Sequence, residues 1–224
     1  MRIPLFIEFN GKKIAIIGGG NVGTARAKKF LEAGAEVTVF SLNFTEELLS
    51  LSEKGKVRIV KKNVGDLNHE LSDFHLVVVA IEDKNFNKKF QELAKKHKFL
   101  VNLANEASET EVVVPFEGEK DGIRFAVTTE GKSGVVARMV RDKFQKLLEE
   151  DKTIFTYLSA MEHLKKFMKS KNIPINVRMK VYRVAGSSQE LFRLSELGEV
   201  EKAKKFVEEI VEKVANSGED YAGF

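Results

Sequence analysis

The stretch "KKIAIIGGGNVGTARAKKFLEAGAEVTVFS", residues 12–41, constrains this chain more than any other. Its opening segment "KKIAIIGGG" carries an uninterrupted apolar run that reads as a strand buried on both faces. It enters Gly18-Gly19-Gly20-Asn21-Val22-Gly23, which fits G-x-G-x-x-G through Gly18, Gly20 and Gly23. Ala27, Phe30, Leu31 and Gly34 then recur at helical spacing, and "EVTVF" reads as the next strand. A strand, a glycine turn and a helix within about thirty residues form a phosphate cradle. Gly18 permits the tight turn, Gly20 lets a pyrophosphate approach the backbone, and Gly23 lets the helix pack closely on the sheet. The acid that usually meets the ribose hydroxyls at the end of the second strand is missing. Phe40, Ser41, Leu42 and Asn43 stand there, so Ser41 or Asn43 is left to bond a ribose hydroxyl. No arginine adjoins them to meet a 2′-phosphate, which favours NAD over NADP.

The alternation continues. A helix is expected over Thr45 to Leu51, strands at "KVRIV", at 75–80 and at "FLVNLA", and a helix from Lys84 to Lys96. This predicts an α/β fold with a Rossmann-like, doubly wound parallel sheet over residues 1–110. Residues 5–9 and 12–17 flank Asn10-Gly11 and are expected to form a hairpin. A small connecting element should occupy 111–150, with strands at "EVVVP" and "GIRFAVTT" joined by "EGEKDG", then a long helix from Ser133. Residues 151–224 read as a helical domain interrupted at Pro174 and at "AGSS" (185–188). Its expected buried faces are Phe155, Leu158, Met161, Leu164 and Met168, and Val200, Ala203, Val207, Ile210, Val211 and Val214.

Composition narrows the chemistry. The absence of cysteine excludes disulfides, thiolate metal sites and cysteine nucleophiles. A net charge of +4 is too mild to argue for nucleic acid and suits a small polyanionic ligand. No segment resembles a signal peptide or membrane span, so a cytoplasmic protein without a membrane partner is expected. His69, His75, His97 and His163 lack paired metal-ligand spacing, and no metal residue is nominated. His69 and His97 are expected at the surface, and His163 on a solvated helix face.

Five ordered segments now resemble one family. "IPLFIEFNGKKIAIIGGGNVGTARAKKFLEAGAEVTVFS" is similar to the start of precorrin-2 dehydrogenases, which occur alone or as the dehydrogenase–ferrochelatase part of sirohaem synthases. "VVVAIEDKNFN", ending on Asn87, resembles the family's A-T-D-D-x-x-x-N segment, and "FLVNLANE" its V-N-V-x-D segment. "VVVPFEGEKDGIRFAVTTEGKSGVVARMVRDKF" resembles F-x-x-P followed by I-S-T-x-G-K-S-P-x-x-A-R-x-x-R. The match runs from residue 3 to about 148. The resemblance implies NAD-dependent oxidation of precorrin-2 to sirohydrochlorin in sirohaem biosynthesis, with Fe²⁺ or Co²⁺ insertion in some members. It also implies a homodimer joined through the connecting element. Asn21 and Val22 would lie at the cofactor phosphates, and Leu42 and Asn43 on the adenosine side.

By the same resemblance "TTEGKS" lines a tetrapyrrole cleft. Thr128, Thr129, Gly131, Lys132 and Ser133 stand at a helix start with Arg138 farther along, an arrangement that suits the substrate's carboxylates. Three positions depart from the family. Ile81 replaces Thr, Gly134 replaces Pro, and Asn105 replaces the catalytic Asp. An amide cannot take the proton, which makes adjacent Glu106 the candidate base and Asn105 an orienting group. Proton transfer to water is the alternative, as are a bifunctional dehydrogenase–ferrochelatase and a binding protein that has lost its chemistry. A regulatory nucleotide-binding module of the kind attached to potassium channels would lack the "TTEGKS" segment.

Overall fold

β1 (Lys13–Gly19) is buried from Ile14 to Gly19, because its flanks and both its faces are covered. A computed structural model, which describes residues 2–216, places it at the centre of a five-stranded sheet. The other strands are β2 (Glu36–Phe44), β3 (Val57–Lys61), β4 (Leu76–Val79) and β5 (Leu100–Leu103), in the order β3-β2-β1-β4-β5. Every pairing is parallel. The intervening chain supplies α1 (Asn21–Glu32), α2 (Glu46–Glu53) and α3 (Asn85–His97). Side chains alternate between faces along a strand, so β1, β2 and β4 each feed two cores. Ile14, Ile16, Val37, Val39, Leu76 and Val78 pack with Phe30 of α1 and Leu48 of α2. Ala15, Ile17, Val77, Val79, Val101 and Leu103 pack with Phe90 and Leu93 of α3. Phe90 is fully buried, a stabilisation of about 1.5–3 kcal/mol relative to exposure.

The expected N-terminal hairpin does not form. Asn10-Gly11 does turn, with Lys12 N–H donating to Phe9 O at 2.9 Å, but residues 5–9 form no strand. The reason is topological. β2 and β4 occupy both edges of β1, so a strand folding back onto it has no ladder to join. The turn docks instead on the end of α1, where Gly11 N–H donates to Gly34 O at 2.9 Å. Ile3, Leu5 and Phe6 stay about 70% exposed.

The second hairpin is displaced from its expected position. Its strands are β6 (Phe116–Lys120) and β7 (Ile123–Val127), joined by Asp121-Gly122 with φ of 47° and 87°. Asp-Gly with two positive φ values is a tight hairpin turn, so most of the charged "EGEKDG" is strand. "EVVVP" lies beside β5 without being a strand. Val112 N–H donates to Val101 O at 3.0 Å, and Asn102 Nδ2 donates to Val112 O at 2.6 Å. α4 (Gly134–Glu150) follows, with Ser133 Oγ accepting from Val136 N–H at 3.2 Å.

The chain divides into two compact units. One comprises the residues through Glu117 together with Ala126–Val140, and the other Gly118–Phe125 together with the chain from Arg141. The second unit contains α5 (Lys152–Ser170), α6 (Ile175–Ser187), α7 (Gln189–Glu196) and α8 (Val200–Asn216). Asp151 caps α5 and Ser188 caps α7, accepting from Ile154 N–H at 2.9 Å and Leu191 N–H at 3.2 Å. Ala203, Val207, Ile210, Val211 and Val214 of α8 are buried as their spacing predicts, whereas Val200, in the first turn, is only half-buried. The buried stripe of α5 is Thr156, Ala160, Leu164 and Met168, rotated from the expected one. Leu158 is exposed, and Phe155 lies under the Lys120 ammonium, 4.4 Å from its ring centre. The expectation of helix over 217–224 lies outside the described residues. Among the described residues no helix is long and apolar enough to cross a membrane.

Candidate cofactor and substrate site

The glycine turn sits where the strand order reverses, at the C-terminal ends of β1 and β4. Gly18 has φ +113°, and a Cβ there would lie 2.5 Å from Ala80 O. A Cβ on Gly23 would lie 1.9 Å from Gly18 O, so the first turn of α1 touches the strand it follows. Gly19, missed by a pattern that treats it as variable, is equally constrained. Its Cβ would meet Asn43 O at 2.3 Å and the Phe44 ring at 2.8 Å. That contact exists because β2 runs to Phe44, beyond the expected end at Phe40, with a register shift that pairs Gly19 with Phe44.

Gly20 differs from the other three. Its φ is −81°, open to any residue, and an added Cβ would meet no atom within 4 Å. It is the N-cap of α1, and neither a side-chain cap nor an acid occupies the first turn. The first ladder bond is Thr24 N–H to Gly20 O at 2.9 Å, which leaves the preceding amides to an outside acceptor. Asn21 and Val22 are exposed beside this opening, as are Leu42 and Asn43 at the end of β2, with Ser41 half-buried. Thr24 and Thr45 join α1 to the N-cap of α2 through their hydroxyls at 2.8 Å. Space over Gly20, free helix amides and no competing acid fit a dinucleotide pyrophosphate.

The next loop touches the turn. Ile81 Cγ2 would lie 3.0 Å from a Cβ on Gly18, and Ile81 O accepts from Asn105 Nδ2 at 2.9 Å. Asn87, almost fully buried on α3, donates through Nδ2 to Asn105 Oδ1 at 3.1 Å. The Asn105 amide is thereby held in one orientation, with one N–H left to donate. Glu106 faces Lys84 and Ser108 instead, at 2.8 and 2.6 Å. Those two hydrogen bonds, Lys84 foremost, hold its carboxyl down at about 2.

The "TTEGKS" turn belongs to the same unit and is built by its own hydroxyls. Thr129 Oγ1 accepts from Ser133 N–H at 2.9 Å and donates to Ser133 O at 3.0 Å, while Thr128 Oγ1 accepts from Glu130 N–H at 3.1 Å. Gly131, at φ +86°, presses on the neighbouring loop. Its Cβ would lie 2.4 Å from Ala107 Cβ. Lys132 is exposed, and so is Arg138, whose guanidinium lies over the Phe116 ring at 5.5 Å with its N–H groups, among the described residues, free to donate. No motif flagged Arg2, yet it donates to Ala107 O and Thr110 O and pairs with Glu130.

The histidines have other partners. His69 is exposed, but His97 is half-buried, because its ring stacks on Phe99 and buries Nε2. His163 is bonded to Glu208 at 2.6 Å rather than simply solvated. Among the described residues no group of three or more His, Asp or Glu could hold a metal ion.

Comparison with known proteins agrees with this geometry. Residues 5–116 match the family model described as "Putative NAD(P)-binding". The "Putative precorrin-2 dehydrogenase" of Methanocaldococcus jannaschii is 30% identical over 173 residues, covering 75% of this chain and 81% of that protein. The "Precorrin-2 dehydrogenase" of Priestia megaterium is 28% identical over 152 residues, covering 68% and 74%. Among solved structures, "SirC, precorrin-2 dehydrogenase" shares the fold at TM-score 0.68 and 22% identity, over 93% of this chain and 100% of that one. The glycine cradle, the ordered segments and these relatives agree: the chain belongs to the precorrin-2 dehydrogenase family.

Proposed function

We propose that this protein oxidises precorrin-2 to sirohydrochlorin with NAD⁺, a step of sirohaem biosynthesis. One observation carries the assignment of the site. Gly18 abuts Ala80 and Ile81, Ile81 O holds Asn105, and Ala107 abuts Gly131, so cofactor turn, Asn105 loop and "TTEGKS" turn form one contiguous surface. NAD⁺ supplies the hydride acceptor. Gly20 gives its pyrophosphate room, Asn21, Val22 and Gly23 present their amides to it, and Ser41, Leu42 and Asn43 border the adenosine.

On the substrate side, Lys132 and Arg138 meet carboxylates near the start of α4, while Thr128, Thr129, Gly131 and Ser133 shape that turn. Asn105 donates its remaining N–H to the macrocycle and orients it. The oxidation also releases a proton. A carboxylate held near 2 has little affinity for it at neutral pH, so Glu106 anchors its loop and the proton passes to water. The protein is assigned to the cytoplasm. It is proposed to work as a homodimer, because the start of α4 exposes Val135, Val136 and Met139, an apolar patch suited to a second copy.

Anaerobic incubation with precorrin-2 and NAD⁺ should form NADH and sirohydrochlorin in equal amounts. Binding of both ligands without NADH would instead identify a binding protein, the alternative raised by an amide in place of the family's acid at Asn105. Adding Co²⁺ to the same reaction tests for chelation.

A further inference from the structure

Arg2 makes four hydrogen bonds to two separate segments of the proposed substrate surface, although nothing in its sequence context marks it. Its Nη2 donates to Ala107 O at 2.7 Å and to Thr110 O at 2.8 Å, and its Nε donates to Thr110 O at 3.2 Å. Its Nη1 pairs with the Glu130 carboxylate. The first three bonds hold the loop that follows Asn105 and Glu106, and the fourth holds the "TTEGKS" turn.

Both segments need holding. Glu130 occupies the left-handed region at φ 53°, a strained place for a side-chain-bearing residue. Next to it, Gly131 is pressed against Ala107, the residue whose carbonyl Arg2 caps. Thr110 is anchored from behind, its Oγ1 accepting from Leu103 N–H at 2.8 Å and donating to Val112 O at 2.9 Å. Arg2 thus joins a residue tied to β5, a loop and a strained turn. Only a planar, multi-donor cation reaches two carbonyls and a carboxylate together; an ammonium is a point charge without that fork.

We propose that Arg2 is a positioning residue, a clasp that locks the 104–110 loop to the 128–133 turn so that both present a preformed surface to the tetrapyrrole. The clasp touches neither the glycine turn nor the groups assigned to NAD⁺. Opening it therefore weakens substrate binding and leaves the cofactor site intact. The claim for substrate rests on the function proposed above; the coupling of the two segments does not.

The test uses the full chain with Arg2→Gln, Arg2→Lys, Glu130→Gln and the double variant Arg2→Gln/Glu130→Gln. Arg2→Gln should raise the KM for precorrin-2 about tenfold, with kcat and NAD⁺ affinity within about twofold of wild type, a loss of about 1.4 kcal/mol in substrate binding. Arg2→Lys should fail to rescue, and the double variant should be no worse than Arg2→Gln alone. Amide hydrogen exchange, which needs no substrate, should speed up in both 104–110 and 128–133 in the Arg2 variants. Unchanged KM with unchanged exchange, exchange that rises in one segment only, full rescue by lysine, or a parallel loss of NAD⁺ affinity and thermal stability would each overturn the clasp. If wild-type protein does not turn over precorrin-2, the functional reading fails, and the exchange measurement still decides whether Arg2 couples the segments.

Discussion

Gly20 and Gly23 lie three residues apart, yet alanine should do opposite things at the two positions. At Gly20 the backbone is already extended, at φ −81° and ψ −168°, and a Cβ meets nothing within 4 Å. Alanine there restricts the unfolded chain, which stabilises by about 0.4–1 kcal/mol. It is also a poorer N-cap than glycine, which costs a similar amount. The net change in stability should fall within about 1 kcal/mol of zero. The methyl does occupy the space over the free amides of α1, where a pyrophosphate must come to hydrogen-bond distance. NAD⁺ affinity should fall at least tenfold, about 1.4 kcal/mol. At Gly23 the new Cβ begins 1.9 Å from Gly18 O, and ordinary carbon–oxygen contact needs about 3.3 Å. The Cβ is fixed rigidly to the helix backbone and its partner is a backbone oxygen, so α1 and the end of β1 must separate. Such overpacking costs about 1–3 kcal/mol, against a helix-propensity gain of about 1 kcal/mol. Titration calorimetry and urea unfolding on the two variants separate the effects. Gly20→Ala protein that binds NAD⁺ as wild type does would refute the placement of the pyrophosphate. Equal stability losses in both variants would show that Gly20 is a packing glycine after all.

Glu106→Gln should leave kcat within about twofold, whereas a general base would lose about 10²–10⁴-fold, and stopped-flow NADH formation distinguishes the two. The same substitution should flatten acid unfolding. A carboxyl lowered in the folded state contributes stability that is present above its unfolded value near 4.5 and is lost as pH falls towards 2. Gly131→Ala, which combines φ +86° with a contact at 2.4 Å to Ala107 Cβ, should raise the KM for precorrin-2 more than it changes NAD⁺ affinity, as steady-state kinetics would record. Arg26 on α1 is half-buried, its pKa lowered by desolvation, and it makes no hydrogen bond or ion pair among the described residues. Arg26→Met should therefore leave stability unchanged or raise it by up to about 1 kcal/mol in urea unfolding.

The parallel sheet was legible because its signal is local. A buried strand, a glycine turn and a helix each write their pattern within a few residues. The two misplaced hairpins had competing signals, settled by distant chain in the first and by the turn in the second. Asn10-Gly11 is a good hairpin turn, but β2 and β4 had taken both edges of β1. "EVVVP" is a better strand sequence than "FEGEK", yet Asp121-Gly122 supplies the two positive φ values that a two-residue hairpin requires. The α5 stripe failed for a related reason. Thr156 and Ala160 carry little hydrophobic signal, and only their contact with the helices packed against them shows that they face the core. Arg2 was invisible because its four bonds reach residues more than 100 positions away.

Asn105 shows what the local chain could not disclose about the chemistry. In sequence it reads as a degraded acid. In the structure its Nδ2 faces Ile81 O at 2.9 Å, and its Oδ1 accepts from Asn87. A carboxylate there would keep the bond from Asn87 and set its other oxygen against a carbonyl oxygen, a repulsion relieved only by holding a proton. The amide satisfies both neighbours without titrating and retains an N–H for the ligand. Moving the proton acceptor to Glu106 is not an equivalent exchange, because Lys84 and Ser108 already use that carboxylate. On the proposed function, the site is thus built around a neutral donor that would hold the macrocycle against the cofactor while solvent takes the proton.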